Sequence, residues 1–128
     1  KIEHVAGDGK FRYSTGLKAV NSSIGMPSGM AQQGNKLYIS DSLSNVIRSI
    51  GDDSISLFFG HPHQNILNSP SKIIIDGNVL YILCEDSIRT YMINMRSGGE
   101  KPIYESNTVS NIAIDSNRGL YILENQNA

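Results

Sequence analysis

The chain repeats itself, and the repeat limits its possible folds more than any other feature of the sequence. The segment from Pro27-Ser28 to Leu37-Tyr38-Ile39 returns 43 residues later, from Pro70-Ser71 to Leu80-Tyr81-Ile82. It returns again about 40 residues further on, from Val109-Ser110 to Leu120-Tyr121-Ile122. We therefore expect Tyr38, Tyr81 and Tyr121 to occupy equivalent positions in three copies of one structural unit.

Each unit consists of short apolar or alternating runs separated by Gly, Asn, Asp and Ser, a pattern typical of strands and turns. No stretch of ten or more residues has a helical period. We predict strands at 28–33, 36–41, 45–50 and 54–59 in the first full unit, and at 71–76, 79–84, 87–93 and 101–105 in the second. Four antiparallel strands in about 40–43 residues are typical of a β-propeller blade, whereas helical repeats of similar length need helices. The sequence thus predicts an all-β fold.

The chain contains just under three such blades. Residues 2–7 match 55–60, the end of the first full unit, so they are predicted to be the outer strand of a preceding blade. We assign residues 1–128 to part of one propeller domain, divided into an outer strand (1–6), an inter-blade loop (7–26), two blades (27–60 and 70–105) and the start of a third (109–128). Propellers close rings of about four to eight blades. We therefore expect this incomplete ring to close with the rest of a longer chain or with a second copy.

The first full unit and the linker before it resemble a known family. Pro27-Ser28-Gly29-Met30-Ala31, the run 34–41 and Asn45-Val46-Ile47-Arg48 resemble an NHL repeat. Ala6-Gly7-Asp8-Gly9, with the residues up to Pro27, resembles the loop between blades of that family. The resemblance implies a propeller, and NHL propellers often bind macromolecules. It thus favours a non-catalytic scaffold for protein–protein interaction, with a protein as the partner.

The second unit departs from the first at one point and matches it at another. Cys84-Glu85 replaces Ser40-Asp41. Ile88-Arg89 matches Ile47-Arg48, which places Arg48 and Arg89 at one repeat position and predicts a structural contact between blades.

Charge and composition exclude several classes of protein. Eleven basic and twelve acidic residues leave a net charge of −1, so no overall field attracts nucleic acid or anionic membranes. No signal peptide is visible, and no apolar run approaches the roughly 20 residues of a membrane-spanning helix. We therefore expect no membrane partner. The single Cys84 cannot form an internal disulfide, which is compatible with an intracellular protein but leaves the compartment open.

The 7–26 loop contains the clearest candidate binding residues, namely Lys10, Arg12, Tyr13 and Lys18, with no acid after Asp8. Basic and aromatic side chains together can hold phosphates and stack on bases. RNA binding through this loop is therefore an alternative function. The other interpretation is a solvated linker in which Tyr13 and Leu17 cover the neighbouring blade.

Two further sets of polar residues are candidate site residues. His61 and His63 alternate in an extended segment, but a metal site needs a third ligand, and surface histidines are the simpler interpretation. Asp41 and Asn45 are predicted to cap the turn between strands two and three. The catalytic alternative is a six-bladed hydrolase or lyase, with Asp41, Glu85, Asp86 and Glu124 around a metal at the channel mouth. The sequence favours a non-catalytic protein, and we assign no catalytic residue, metal or cofactor.

Overall fold

Three antiparallel sheets follow one another along the chain in the computed structural model, which describes residues 1–14, 18–64, 66–85, 89–106 and 109–125. The first sheet contains β1 (Pro27–Gln33), β2 (Lys36–Asp41), β3 (Val46–Gly51) and β4 (Ser54–Gly60) in that order. The second contains β5 (Pro70–Asp76), β6 (Val79–Cys84), β7 (Arg89–Asn94) and β8 (Glu100–Glu105). The third pairs β9 (Val109–Ile114) with β10 (Leu120–Glu124). The predicted all-β class and the predicted strands of the two full units are confirmed.

Helical structure is almost absent from the described residues. It consists there of one three-residue 3-10 turn, Ala19–Asn21. Within the same residues, no helix has the length and apolar character needed to cross a membrane.

The strand register confirms the equivalence of the three tyrosines. Ala31 pairs with Tyr38, Ile74 with Tyr81 and Ala113 with Tyr121, each at the same point of the first hairpin of its sheet. The residues on either side of Tyr38 face the opposite way, since side chains alternate along a strand. Accordingly Tyr38 packs toward the second sheet, whereas Leu37 and Ile39 pack on the other face.

The repeated serine after the first residue of each unit marks a β-bulge. The register shifts there in all three hairpins, so one extra residue lies opposite the second strand. The hydroxyl groups of Ser28, Ser71 and Ser110 donate to strand carbonyls of Ser40, Leu83 and Leu123 at 3.3, 3.2 and 3.3 Å. The serine thus supplies a donor where the bulge interrupts the ladder.

Two predicted equivalences are wrong. Pro27 pairs with Asp41 and Pro70 with Cys84, so Leu83-Cys84 and not Cys84-Glu85 occupies the position of Ser40-Asp41. Ile39 pairs with Arg48, but its counterpart Ile82 pairs with Tyr91, so Tyr91 and not Arg89 occupies the position of Arg48. The 43-residue offset of the first two strands continues through the third strand. Matching Arg48 with Arg89 requires an offset of 41, which the ladder does not allow because a shift of register would re-pair every residue of the strand.

The sheets stack through their faces, with their first strands side by side. β1 contacts β5, and β5 contacts β9. Tyr38 and Ile47 of the first sheet share a buried cluster with Ile73, Leu80 and Ile82 of the second. A Cβ at Gly29 would lie 2.7 Å from the Ser71 carbonyl oxygen, so this close approach of β1 to β5 requires glycine.

The two outermost faces of the stack are partly uncovered. Met30 of the first sheet is 65% exposed, whereas its counterpart Ile73, which faces the first sheet, is 4% exposed. Ala6, Ala19 and Ile24 cover the outer part of the same face. At the other end of the stack, Tyr121 and Leu123 of β10 are largely exposed. This arrangement is that of an incomplete propeller ring.

Residues 2–6 form no strand within the described part of this chain. Their assignment to a preceding blade, and that of the whole chain to one propeller domain, stay predictions. Gly7 and Gly60 nevertheless share an unusual backbone conformation, with φ values of 95° and 92°. This agrees with the sequence match between 2–7 and 55–60.

Candidate binding surface at the loop-bearing end

Antiparallel strands place two kinds of connection at opposite ends of each blade. The tight turns of the β1–β2, β3–β4, β5–β6, β7–β8 and β9–β10 hairpins lie at one end, which we call the hairpin end. The β2–β3 turn and the linker ends that lead into β1 and β5 lie at the other, which we call the loop end, whereas Ala19 of the first linker bonds to Asp53 of the β3–β4 turn at the hairpin end. The described candidate binding residues other than Lys18 lie toward the loop end.

Asp41 anchors the 7–26 linker to the first blade. Its carboxylate is fully buried, with Oδ2 accepting from the Gly25 amide at 2.9 Å, and Oδ1 from the Met26 and Ser44 amides at 2.9 and 3.1 Å. Backbone N–H groups donate to this carboxylate as they do to the side chain of a capping residue. Asp41 therefore fixes the end of the linker and the β2–β3 turn at once.

Arg48 lies beneath the same linker. Its guanidinium group is fully buried, lies 3.8 Å from Asp41 Oδ2 and donates from Nη1 to the Ser23 carbonyl at 2.6 Å. The Tyr13 ring covers it at 4.6 Å, within the range of a cation–π contact. Nε and Nη2 have no hydrogen-bond partner among the described residues. Burial lowers the pKa of Arg48, while Asp41 and Tyr13 act to raise it.

Ser23 connects the anchor to the beginning of the linker. It donates from Oγ to Asp8 at 2.8 Å and accepts from Arg12 Nε at 3.1 Å. Partial burial acts to raise the pKa of Asp8, but the Ser23 hydroxyl, the Lys10 amide and the positive charges of Lys10 and Arg12 lower it below its ordinary value. The linker is thus held by polar contacts within itself.

The structure divides the four candidate residues of the 7–26 loop. Tyr13 and Arg12 take part in the contacts to Arg48 and Ser23 described above. Lys10 is exposed beside them. Lys18 lies elsewhere, because its backbone bridges to Ser54 near the β3–β4 turn at the hairpin end. Leu17, which was expected to cover the blade, lies outside the described residues.

The remaining polar candidates make local contacts. His61 accepts the His63 amide at Nδ1 (3.1 Å), and the two rings lie 5.9 Å apart. Asn45 Oδ1 accepts the Ser69 amide at 2.8 Å and so ties the second linker to the β2–β3 turn. Among the residues that the structure describes, no three His, Cys, Asp or Glu side chains lie together as a metal site requires.

The other acids and the thiol lie in different environments. Cys84 is buried in the core between the first two sheets, and Glu85 is exposed at the end of β6. A hydrogen bond to Glu124 raises the pKa of Tyr104. Asp86 lies outside the described residues.

Sequence reasoning missed an apolar patch at the loop end, formed by Phe11, Met26 and Leu43. These side chains are 78%, 50% and 54% exposed. Phe11 lines a shallow pocket with Gly25 and Pro27, and a Cβ at Gly25 would lie 3.0 Å from Leu43 Cβ. The only sequence signal was a large apolar residue at each of three positions predicted to be loop.

Solved structures share this fold. A structural genomics protein of unknown function from Bacteroides thetaiotaomicron VPI-5482 superposes with a TM-score of 0.73 at 16% identity, over 95% of this chain and 32% of its own. Streptogramin B lyase superposes with a TM-score of 0.61 at 14% identity, over 77% of this chain and 34% of its own.

The sequence matches no protein-family profile and no curated protein sequence. The chain spans about a third of the length of the two solved structures that it resembles. At these identities the likeness concerns the fold alone. The chain has the fold of consecutive blades of a β-propeller.

Proposed function

We propose that the chain is part of an NHL-like propeller that serves as a non-catalytic scaffold and binds a protein partner at its loop end. The observation that carries the proposal is the apolar patch of Phe11, Met26 and Leu43. Aromatic and methionine side chains are enriched in protein interfaces, and clustered exposed apolar residues commonly mark them. The anchor at Asp41 and Arg48 holds this patch in place, which lowers the entropy lost on binding.

The contacts of the linker favour a protein partner over RNA. An RNA site needs aromatic faces and cations directed toward the nucleic acid. Here the Tyr13 ring covers Arg48, Arg12 is bonded to Ser23, and Lys18 lies near the opposite end. The exposed side chains near these residues include the apolar Phe11, Met26 and Leu43.

The contacts of Asp41 favour a structural role over a catalytic one. A metal-binding or catalytic carboxylate needs free oxygen atoms, but both Asp41 oxygens accept backbone amides in a fully buried position. The name of the lyase neighbour concerns that protein, and a likeness at 14% identity supports no transfer of activity.

We further propose that other blades of the same polypeptide cover the two free faces and close the ring. The free face around Met30 has a pocket of about 310 Å³ lined by Pro27, Gly29 and Ile39. The corresponding face of the second sheet, around Ile73, is buried by the first sheet. On the full-length protein, Met30→Asp should destabilise the fold strongly and Leu57→Asp, on the outer strand β4, much less. Equal effects, or a dimer that Met30→Asp dissociates, would count against closure within one polypeptide.

Cross-linking in cells of the source organism tests the scaffold function. Full-length protein with Phe11→Ser and Leu43→Ser should lose its specific protein cross-links and keep its folded stability. Leu57→Ser is the matched control, because Leu57 is also an exposed leucine but lies on β4 away from the loop end. Unchanged protein cross-links in the double variant would refute the proposal. Cross-links to RNA that Lys10→Glu abolishes would replace it with the RNA-binding alternative.

A further inference from the structure

The apolar patch has positive charge on its border. Lys10 and Arg12 flank Phe11 in sequence, and both side chains are exposed. Among the described residues, Lys10 has no side-chain partner, and Arg12 donates only from Nε. The outer nitrogens of Arg12 and the Lys10 ammonium group therefore face solvent beside Phe11.

The acids near the patch offset these cations only in part. Asp8 accepts the Ser23 hydroxyl and the Lys10 amide, and the charges of Lys10 and Arg12 lower its pKa, so one carboxylate lies beside two cations. Asp41 is fully buried and lies beside Arg48, which balances its charge. Two cations beside one acid leave this border with a net positive charge, although the whole chain has a net charge of −1.

From this arrangement we infer that the loop end recognises a protein segment in which large apolar residues are flanked by Asp or Glu. The apolar residues lie on Phe11, Met26 and Leu43, and the carboxylates pair with Lys10 and Arg12. Burial of apolar surface supplies most of the affinity of such a contact, at about 25 cal/mol per Å². Charge pairs at the rim select the partner and its orientation.

This inference rests on the proposed scaffold function, and a random-peptide display library tests the two separately. The full-length wild-type protein should select peptides enriched in aromatic or aliphatic residues with Asp or Glu beside them. Lys10→Glu should keep the apolar selection and lose the acidic selection. Lys36→Glu makes the same charge change at the exposed first residue of β2, next to a hairpin turn, and it should select the same peptides as the wild type.

Affinity measurements on one selected acidic peptide make the test quantitative. Lys10→Glu should weaken its binding about two- to tenfold, as expected for exposed charge pairs. The difference should shrink between about 50 mM and about 500 mM NaCl, because salt screens charges at the rim. Lys36→Glu should bind the peptide as the wild type does.

Different failures have different meanings. Apolar peptides without acidic enrichment would overturn the partner chemistry and leave the scaffold function standing. If the wild-type protein selected no peptides beyond those selected by the Phe11→Ser/Leu43→Ser variant, both the partner chemistry and the scaffold function would be overturned. Tight, salt-sensitive binding of an oligouridine probe, with no peptide selected, would replace the acidic peptide with a nucleic acid as the ligand.

Discussion

The two ends of the blades are built from different chemistry. At the hairpin end, turns of two to five residues, all polar or glycine except Met95, connect the strands, and neighbouring turns bond to one another. Gln33 donates to the Gly77 carbonyl, and Arg118 forms an exposed ion pair with Asp76 at 2.8 Å. At the loop end, long linkers are fastened by the buried Asp41 and Arg48 and present Phe11, Met26 and Leu43 to solvent.

This difference indicates that the two ends of the blades have different roles in stability and in recognition. Within the described residues, none of the exposed large apolar side chains lies in the hairpin turns 34–35, 52–53, 77–78, 95–99 or 115–119. Short turns are specified by their own backbone requirements. A long linker has no such local specification, so buried side chains of the blade must hold it, and its outer side chains remain available for binding.

The largest expected effect is that of removing the loop-end anchor. Asp41→Ala leaves three backbone amides and Arg48 buried without their carboxylate. We expect the free energy of unfolding to fall by about 3–5 kcal/mol, as when one partner of a buried ion pair is removed. Urea unfolding of the full-length protein measures it. Asp76→Ala at the hairpin end is the control and should cost far less; equal losses would break the comparison.

A glycine at each end gives the next largest difference. A Cβ at Gly25 would lie 2.7 Å from Asp41 Oδ1 and 2.8 Å from Ser44 Oγ, within the anchored turn. Gly25→Ala should therefore cost about 1–3 kcal/mol, the usual cost of overpacking. Gly51→Ala, whose Cβ would meet only the flexible Lys36 side chain at 3.4 Å, should leave the thermal unfolding temperature nearly unchanged. A larger loss at Gly51 would contradict this account.

Acidification tests one carboxylate at each end. The Gly119 amide and the Tyr121 hydroxyl lower the pKa of Asp115, and the pKa of Asp8 is also lowered, despite the opposing effect of burial. A lowered folded-state pKa contributes stability that is present above the unfolded value of about 3.9 and is lost as the pH falls through the folded value. Asp8→Asn and Asp115→Asn should each reduce the loss of stability below about pH 4. An unchanged acid transition in both variants would show that Asp8 and Asp115 do not contribute to the loss of stability at low pH.

The smallest effect is expected from the exposed pair at the hairpin end. Arg118→Ala removes a contact whose arginine side chain is mostly in solvent, and such pairs contribute little. The hydrogen bond to Asp76 raises the pKa of Arg118, so the pair stays charged at neutral pH. Its contribution to the urea midpoint should be slight at low salt and vanish at about 1 M NaCl. A loss comparable to that of Asp41→Ala would show that both ends stabilise the fold equally.

The predicted strands of the two full units agree with the structure to within two residues. They could be predicted because the turn residues and the apolar alternation of each repeat are local features of the sequence. Gly34, Gly77 and the tyrosine repeated in each unit identify the hairpins without any tertiary information. The mistaken match of Arg48 with Arg89 arose where two similar motifs differ in spacing by two residues. Only the hydrogen-bonded ladder decides the register there.

The candidate site was less predictable than the fold. Asp41 was correctly interpreted as a capping residue of its turn, but its hold on Gly25 and Met26 joins residues about 15 positions apart. The patch was missed because Phe11, Met26 and Leu43 lie in two separate loops with no common periodicity. Their proximity follows from the path that the linker takes over the blade.

The repeating unit, its strands and its turns follow from the sequence, since they depend on local alternation and on residues that tolerate turn conformations. Which polar side chains bond internally and which remain on the surface follows only from the folded arrangement. Arg48 and Tyr13, far apart in sequence, stack only when the linker folds back on the first blade. Burial and contact are properties of neighbours in space, and those neighbours are set by the packing of the linker on the sheet.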